Sequence, residues 1–265
     1  MVPRGNKTLM MNLQCRLELA SAYKAGPQIA RVVSEEWCTR EMYCPACDSS
    51  RLTQSRANTP AVDFACPRCE QLFQLKSLKT WNPRKIPDAG HEAMLRAIRS
   101  DRAPNLFVLH YSSSWLVQNL VLIPRAFFTE SVIEKRKPLG SQARRAGWIG
   151  CNILLSQIPA DGKIAVVSDG CAVPEHRVRK EFSRVRKLAD LAPSLRGWTV
   201  DVLNAVRRLG KPEFSLQELY AFEGQLKEAH PGNQNVRPKI RQQLQVLRDL
   251  GLLEFSSPGR YILRS

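Results

Sequence analysis

The sequence predicts a chain in two parts: a mixed α/β domain over residues 11–191 and a smaller unit of three helices and a β-hairpin over residues 196–265. Three observations carry that prediction. Stretches with helical and with strand periodicity are interleaved through the first part, as in an α/β or α+β domain. Three helical stretches and one hairpin signal then follow one another in the last part. Between the two lies Ala192-Pro193-Ser194-Leu195-Arg196-Gly197, which reads as a linker. With 265 residues, the chain is long enough for a medium and a small domain, each burying its own core.

In chain order, apolar residues such as Ile29, Val32, Val33 and Trp37 recur at helical steps from Leu17 to Met42, with Gly26-Pro27 splitting the stretch into two helices. Two strands are expected at Ala61 to Ala65 and Gln71 to Ser77, followed by a basic loop, Lys79 to Lys85, and a helix from Gly90 to Asp101. Leu106 to Tyr111 and Trp115 to Ile123 are short, β-branched and aromatic, as buried strands of a mixed sheet are. A strand at Lys163 to Val167 and a basic helix from Glu175 to Leu188 complete the first part. Beyond the linker come helices at Trp198 to Leu209, Leu216 to Glu228 and Val236 to Leu250, then a hairpin from Leu252 to Leu263 turning at Ser256-Ser257-Pro258-Gly259. Three helices and a β-wing make a winged helix-turn-helix, mostly a DNA-binding fold.

Composition narrows the partners. Forty Lys and Arg against 24 Asp and Glu give a formal charge of +16, which fits a polyanion and nucleic acid best. No run of about 18 apolar residues is present, so no transmembrane helix is expected. The stretch from Met1 to Leu13 lacks the apolar core and cleavage site of a signal peptide, so the expected address is cytoplasmic. Met10 and Met11 each fit as the start, with Val2-Pro3-Arg4-Gly5 as an upstream extension.

Of eight cysteines, four fall as Cys44-x2-Cys47-x18-Cys66-x2-Cys69, which is zinc spacing. Each Cys-x2-Cys turn points both sulfurs to one side, so two pairs close a tetrahedron; with four protein ligands the site is structural Zn2+. Four reduced cysteines without metal are the alternative. Cys15, Cys38, Cys151 and Cys171 are scattered and read as small buried hydrophobes.

Cys66 and Cys69 lie in the turn joining the strand of Asp63 to the strand of Gln74 and Lys76. Alternation puts Phe73 and Leu75 on one face of the second strand and Gln74 and Lys76 on the other. An acid at the end of one strand with an x-Lys pair on its neighbour is the layout of a PD-(D/E)xK nuclease site. Asp63 would bind Mg2+, the side-chain oxygen of Gln74 would be a second ligand, and Lys76 would orient the attacking water. The bare pattern also fits polar residues on a solvated strand face.

Four stretches carry a resemblance. Tyr43-Cys44-Pro45-Ala46-Cys47, Val62-Asp63-Phe64 through Phe73-Gln74-Leu75-Lys76-Ser77, Arg144-Arg145-Ala146-Gly147-Trp148-Ile149-Gly150-Cys151-Asn152, and Lys239 to Asp249 resemble the DpnI family in order and spacing. The resemblance implies a PD-(D/E)xK endonuclease domain with a zinc site plus a winged helix. Its members read double-stranded GATC when the adenine carries an N6-methyl group. It further implies Mg2+-dependent cleavage, no nucleotide cofactor and a monomer in solution, while the lack of a long apolar run leaves no membrane partner expected. Gln74 departs from the family's glutamate, keeping a carbonyl oxygen but losing a charge, so weaker metal binding and slower cleavage are expected. Glu70, Glu35 and Glu36 are acids able to restore that charge, and each also reads as a solvated helix or turn residue.

In the last helix Ile240, Leu244, Leu247 and Gly251 follow a core-facing step, leaving Arg241, Gln242, Gln245 and Arg248 for the major groove. Gln pairs with an adenine edge and Arg with a guanine edge, an inventory suited to GATC. Trp148, beside Arg144 and Arg145, is expected to meet DNA near the methyl group, with a core tryptophan anchoring its loop as the rival. Lys79 to Lys85, Arg136-Lys137 and Arg177 to Arg186 are phosphate tracks or solubilising charge. Two other readings stay open: a zinc-ribbon and winged-helix transcription regulator, and a catalytically weak or inactive protein that binds methylated DNA.

Overall fold

The computed structural model describes residues 11–56 and 61–264; the Val2–Gly5 extension lies outside them. A short 3-10 turn, Leu17–Ala20, precedes α1 (Gly26–Glu41), β1 (Thr53–Gln54), β2 (Phe64–Ala65), β3 (Leu72–Leu78), β4 (Ile86–Gly90) and α2 (His91–Arg99). Then come β5 (Asn105–Tyr111), β6 (Val117–Ile123), β7 (Ile133–Lys135), β8 (Gly150–Ile153), β9 (Ile164–Ser168), β10 (Cys171–Ala172) and α3 (Glu175–Arg186). The chain finishes with α4 (Pro193–Arg208), β11 (Glu213–Ser215), α5 (Leu216–Leu219), α6 (Glu223–Ala229), α7 (Val236–Asp249), β12 (Leu253–Ser257) and β13 (Arg260–Leu263).

The described residues form two compact units. The first contains residues up to Trp81, Leu106–Leu122 and Ala165–Arg179; the second contains Asn82–Asn105, Ile123–Ile164 and Lys180 onward. The first unit is built on a seven-stranded sheet in the order β1-β2-β3-β5-β6-β9-β10. Its apolar face is dense: Phe64, Phe73 and Phe107 are fully buried, and Phe73 stacks on Phe107 at 5.1 Å. Each such side chain stabilises by about 1.5–3 kcal/mol. Helix α1 starts where Pro27 tolerates the missing N–H, and buries Val33, Trp37 and Cys38. The Trp37 indole N–H donates to the Asn12 carbonyl at 2.8 Å, fixing the chain that leads into the unit.

The second unit holds a three-stranded antiparallel sheet, β4-β8-β7, and the C-terminal helices with their wing, β11-β13-β12. Ser215 and Glu218 form a reciprocal cap at the start of α5. Ile240, Leu244 and Leu247 of α7 are fully buried, as the sequence period requires. Between α4 and α7 the Thr199 hydroxyl donates to Gln243 Oε1 at 2.7 Å, and both residues are buried. The winged helix-turn-helix is therefore present, with β11 as a third wing strand that its three-residue length hides in the sequence.

Three expectations change. Ala192–Gly197 is not a linker: α4 begins at Pro193, whose ring is compatible with the first helical position. Arg196 there is buried, donating to Asp101 at 2.7 Å and to the Leu191 carbonyl at 3.3 Å. Trp115 does not open a strand: at φ 60° it ends a tight turn and stacks on Tyr111 at 4.7 Å. The β4-β8-β7 sheet was not predicted, because Pro87 and the glycines at 90 and 150 mask its strand pattern.

Asp161 is the most committed charge in the second unit. Its side chain is fully buried, and it accepts from Arg184 of α3 at 2.7 Å and from Arg207 Nε of α4 at 2.6 Å. Removing one partner of such a network leaves uncompensated buried charge. Asp161→Ala should therefore cost about 3–5 kcal/mol in urea denaturation; a loss under about 1 kcal/mol would show that the arginines rehydrate freely.

Candidate functional site

The four predicted thiols converge. Cys44, Cys47, Cys66 and Cys69 place their sulfurs within 4.8 Å of one another, with Cys44 to Cys69 and Cys47 to Cys66 each at 3.5 Å. Tetrahedral zinc with Zn–S of about 2.3 Å needs sulfurs about 3.8 Å apart, so the donor set fits that ion. The Ala46 and Arg68 amides approach the Cys44 and Cys66 sulfurs at 3.4 Å, as they would to stabilise thiolate.

One residue of the basic helix secures this knuckle from behind. Arg179 donates to the Cys44 carbonyl at 3.0 Å and to the Ser49 carbonyl at 3.1 Å, and lies over the Tyr43 ring at 5.3 Å. With Arg184 engaged at Asp161, two arginines of the Arg177 to Arg186 run serve the fold rather than a phosphate track. Arg177, Lys180 and Arg186 remain exposed. In the Lys79 to Lys85 loop, Lys85 is paired with Glu134 at 2.8 Å.

The turn carrying Cys66 and Cys69 sets the register of β2 on β3. Phe64 pairs with Phe73 and Ala65 with Leu72, which leaves Asp63 just past the end of the paired strand. The Asp63 amide donates to the Phe73 carbonyl at 2.9 Å, one residue out of step with the Phe64–Phe73 pairing, so the regular ladder ends at β2. Along β3 side chains alternate between faces, so Gln74 and Lys76 share one. Asp63, at the end of β2, thus neighbours the strand that carries Gln74 and Lys76, and all three are partly exposed.

The carboxylate of Asp63 is positioned by the strand it faces. The Leu75 amide donates to Asp63 Oδ2 at 2.7 Å, so the side chain continues the hydrogen-bond ladder where β2 stops. The residue borders an open cleft of about 630 Å³, whose lining includes Tyr23, Arg31, Glu35, Gln54, Arg56 and Asp63. Glu36 turns instead to Arg40 and Arg16, at 3.0 and 3.5 Å, and Glu70 is exposed in the cysteine turn at φ 60°.

In the second unit, Arg241, Gln242, Gln245 and Arg248 form the exposed face of α7. Arg241 donates to the Tyr220 hydroxyl at 2.9 Å, and Arg248 lies over the Phe255 ring of the wing at 4.7 Å. Trp148 is half-buried in the loop from β7 to β8, where Leu139 donates to the Trp148 carbonyl and Gly147 to the Leu139 carbonyl. Its indole packs on the paired glycines of β4 and β8: a Cβ on Gly150 would come within 2.8 Å of the ring, and one on Gly90 within 3.5 Å. The Arg145 guanidinium lies 4.8 Å from the ring centroid, while Arg144 is exposed. The tryptophan is thus seated by the sheet without being enclosed by it.

Comparison with known families decides the assignment. Residues 11–191 match the DpnI, or Dam-replacing, family, and residues 194–262 match the Dam-replacing HTH domain. The chain belongs to the DpnI family. Membership brings restriction-nuclease chemistry and DNA binding with it. Among the described residues no helix is long and apolar enough to cross a membrane.

Within this DpnI-family chain, sequence reasoning passed over Arg179, Gln54 and Tyr220. Arg179 was submerged in a run of like charges, and Gln54 and Tyr220 carry no pattern that sets them apart from solvated residues. The purified protein should carry about one zinc per chain. Cys66→Ser should lose that zinc in elemental analysis and lower the melting temperature; full retention would reject the four-thiolate site.

Proposed function

We propose that the chain is a methyl-directed restriction endonuclease that hydrolyses double-stranded DNA at GATC sites carrying N6-methyladenine, with Mg2+ as cofactor and no nucleotide. The observation that carries the catalytic part is the Leu75 amide hydrogen bond to Asp63 Oδ2, which holds that carboxylate at the edge of an open cleft and beside the strand that bears Gln74 and Lys76. The donor chemistry fits a hard divalent cation: Asp63 Oδ1 lies beyond the Leu75 hydrogen bond, and Gln74 offers an amide carbonyl. Mg2+, when bound, polarises the scissile phosphodiester and favours hydroxide over water.

The chain's own groups do the rest. Asp63 and Gln74 fix the geometry of the phosphate-binding face. Lys76 holds the attacking water in line and offsets charge as the oxygen adds to phosphorus; the P–O bond to the leaving alkoxide then breaks, and that oxygen takes up a proton. In the proposed division, residues 11–191 cut and residues 196–265 help to read. Arg241, Gln242, Gln245 and Arg248 meet base edges in the major groove. Trp148 meets the methyl group, and Arg144 and Arg145 hold phosphate or guanine. The protein acts as a monomer in the cytoplasm. Gln74 keeps one second reading alive, a protein that binds methylated DNA and cuts it weakly or not at all.

Incubating one GATC-containing plasmid, with and without adenine methylation, across Mg2+ and Mn2+ separates these readings. Linearisation of the methylated form alone is expected, and uncut methylated DNA that is nevertheless bound would leave the binding protein. Lys76→Ala should slow cleavage by about 10²–10³-fold with binding retained. Trp148→Ala should reduce methyl discrimination more than it lowers the melting temperature; the reverse would make the indole a loop anchor only.

A further inference from the structure

With an amide at Gln74, the proposed ion site is one charge short of the carboxylate pair that Mg2+ favours. We propose that Glu35 of α1 supplies the missing charge, serving with Asp63 as the second acidic ligand of the divalent-ion site and thereby as a catalytic residue of this chain. The inference rests on the reading that the Asp63 cleft holds such an ion.

Four observations point to Glu35. It lines the same cleft as Asp63, which neither Glu36 nor Glu70 does. Its side chain is only 14% exposed, so a carboxylate has been carried into the wall of that cleft rather than left in water. Its orientation is enforced from β1: Gln54 Nε2 donates to Glu35 Oε2 at 2.9 Å, and Gln54 pairs with Phe64, the residue after Asp63. The neighbouring Ser55 amide donates to the Asp63 carbonyl at 2.8 Å, so adjacent residues, Gln54 and Ser55, hold both acids. Finally, the buried thiol of Cys38, one turn beyond Glu35, is pushed well up, first by burial and then by the charges of Asp63 and Glu35 together. Both carboxylates therefore lie close to one side chain.

Arg31 completes the arrangement. Its guanidinium, 63% exposed, donates to Glu35 Oε1 at 2.7 Å and also lies within the field of Asp63. An exposed pair four residues apart on a helix stabilises by only about 0.3–0.5 kcal/mol. It neutralises the acids without an ion and is cheaply displaced by one. Glu35 thus replaces from the helix the charge that β3 lost at position 74.

The test measures ion binding directly, using the full-length, zinc-containing chain without DNA and titrating Mn2+ by electron paramagnetic resonance. Glu35→Gln should weaken Mn2+ binding by about 10- to 100-fold. Adding Gln74→Glu to that variant should recover most of the loss, whereas Glu36→Gln should bind as the parent does. Unchanged zinc content and melting temperature keep a folding defect from imitating the result, and Glu35→Asp, which retains the charge, should bind more tightly than Glu35→Gln. If Asp63→Asn loses Mn2+ while Glu35→Gln does not, Glu35 is no ligand and the inference falls alone. If neither variant changes Mn2+ binding, the cleft is not the ion site, and the catalytic reading falls with it.

Discussion

The structure depends on the strand register fixed between Phe64 and Phe73. Strand side chains repeat every second residue, so the pairing of Phe64 with Phe73 decides at once which groups enter the core and which stay out of it. Two forces hold that pairing. On one side Phe73 is locked against Phe107 in the core. At the end of the hairpin the four-cysteine cluster closes the turn, and Arg179 ties the first cysteine pair to α3 through two carbonyls. A slip of β3 by one residue would carry the Phe73 ring toward water and an amide and an amine, those of Gln74 and Lys76, toward the core.

Much of this was legible because it is written in periods and spacings. The cysteine spacing gave the cluster, and the helical step from Ile240 to Leu247 gave the buried side of α7. Glu35 was visible only as one of three acids, since its selection required β1, a strand of two residues whose partner lies across the hairpin. Nothing local in Thr53-Gln54 announces a strand. The linker expectation failed for a different reason: proline and glycine mark chain breaks and helix starts alike, and at Pro193 the helix start won because Arg196 is anchored by Asp101.

Charge illustrates a second limit. A net +16 correctly signals a nucleic-acid protein, and the family match agrees with it. Yet individual arginines divide into unrelated duties: Arg179 binds carbonyls of the cysteine turn, Arg184 and Arg207 neutralise a buried aspartate, and Arg241 rests on a tyrosine hydroxyl. A basic run in sequence is a sum, and only packing separates its parts.

The Thr199–Gln243 hydrogen bond has a consequence for how DNA would be presented with the surface of α7. An interface of leucines, isoleucines and valines alone tolerates a helix turning about its long axis, because apolar contacts are indifferent to small rotations. A single polar pair sunk in that seam admits only one azimuth. The row from Arg241 to Arg248 is thereby aimed like the teeth of a key held in one orientation, with its bearing set by an amide that touches no nucleotide.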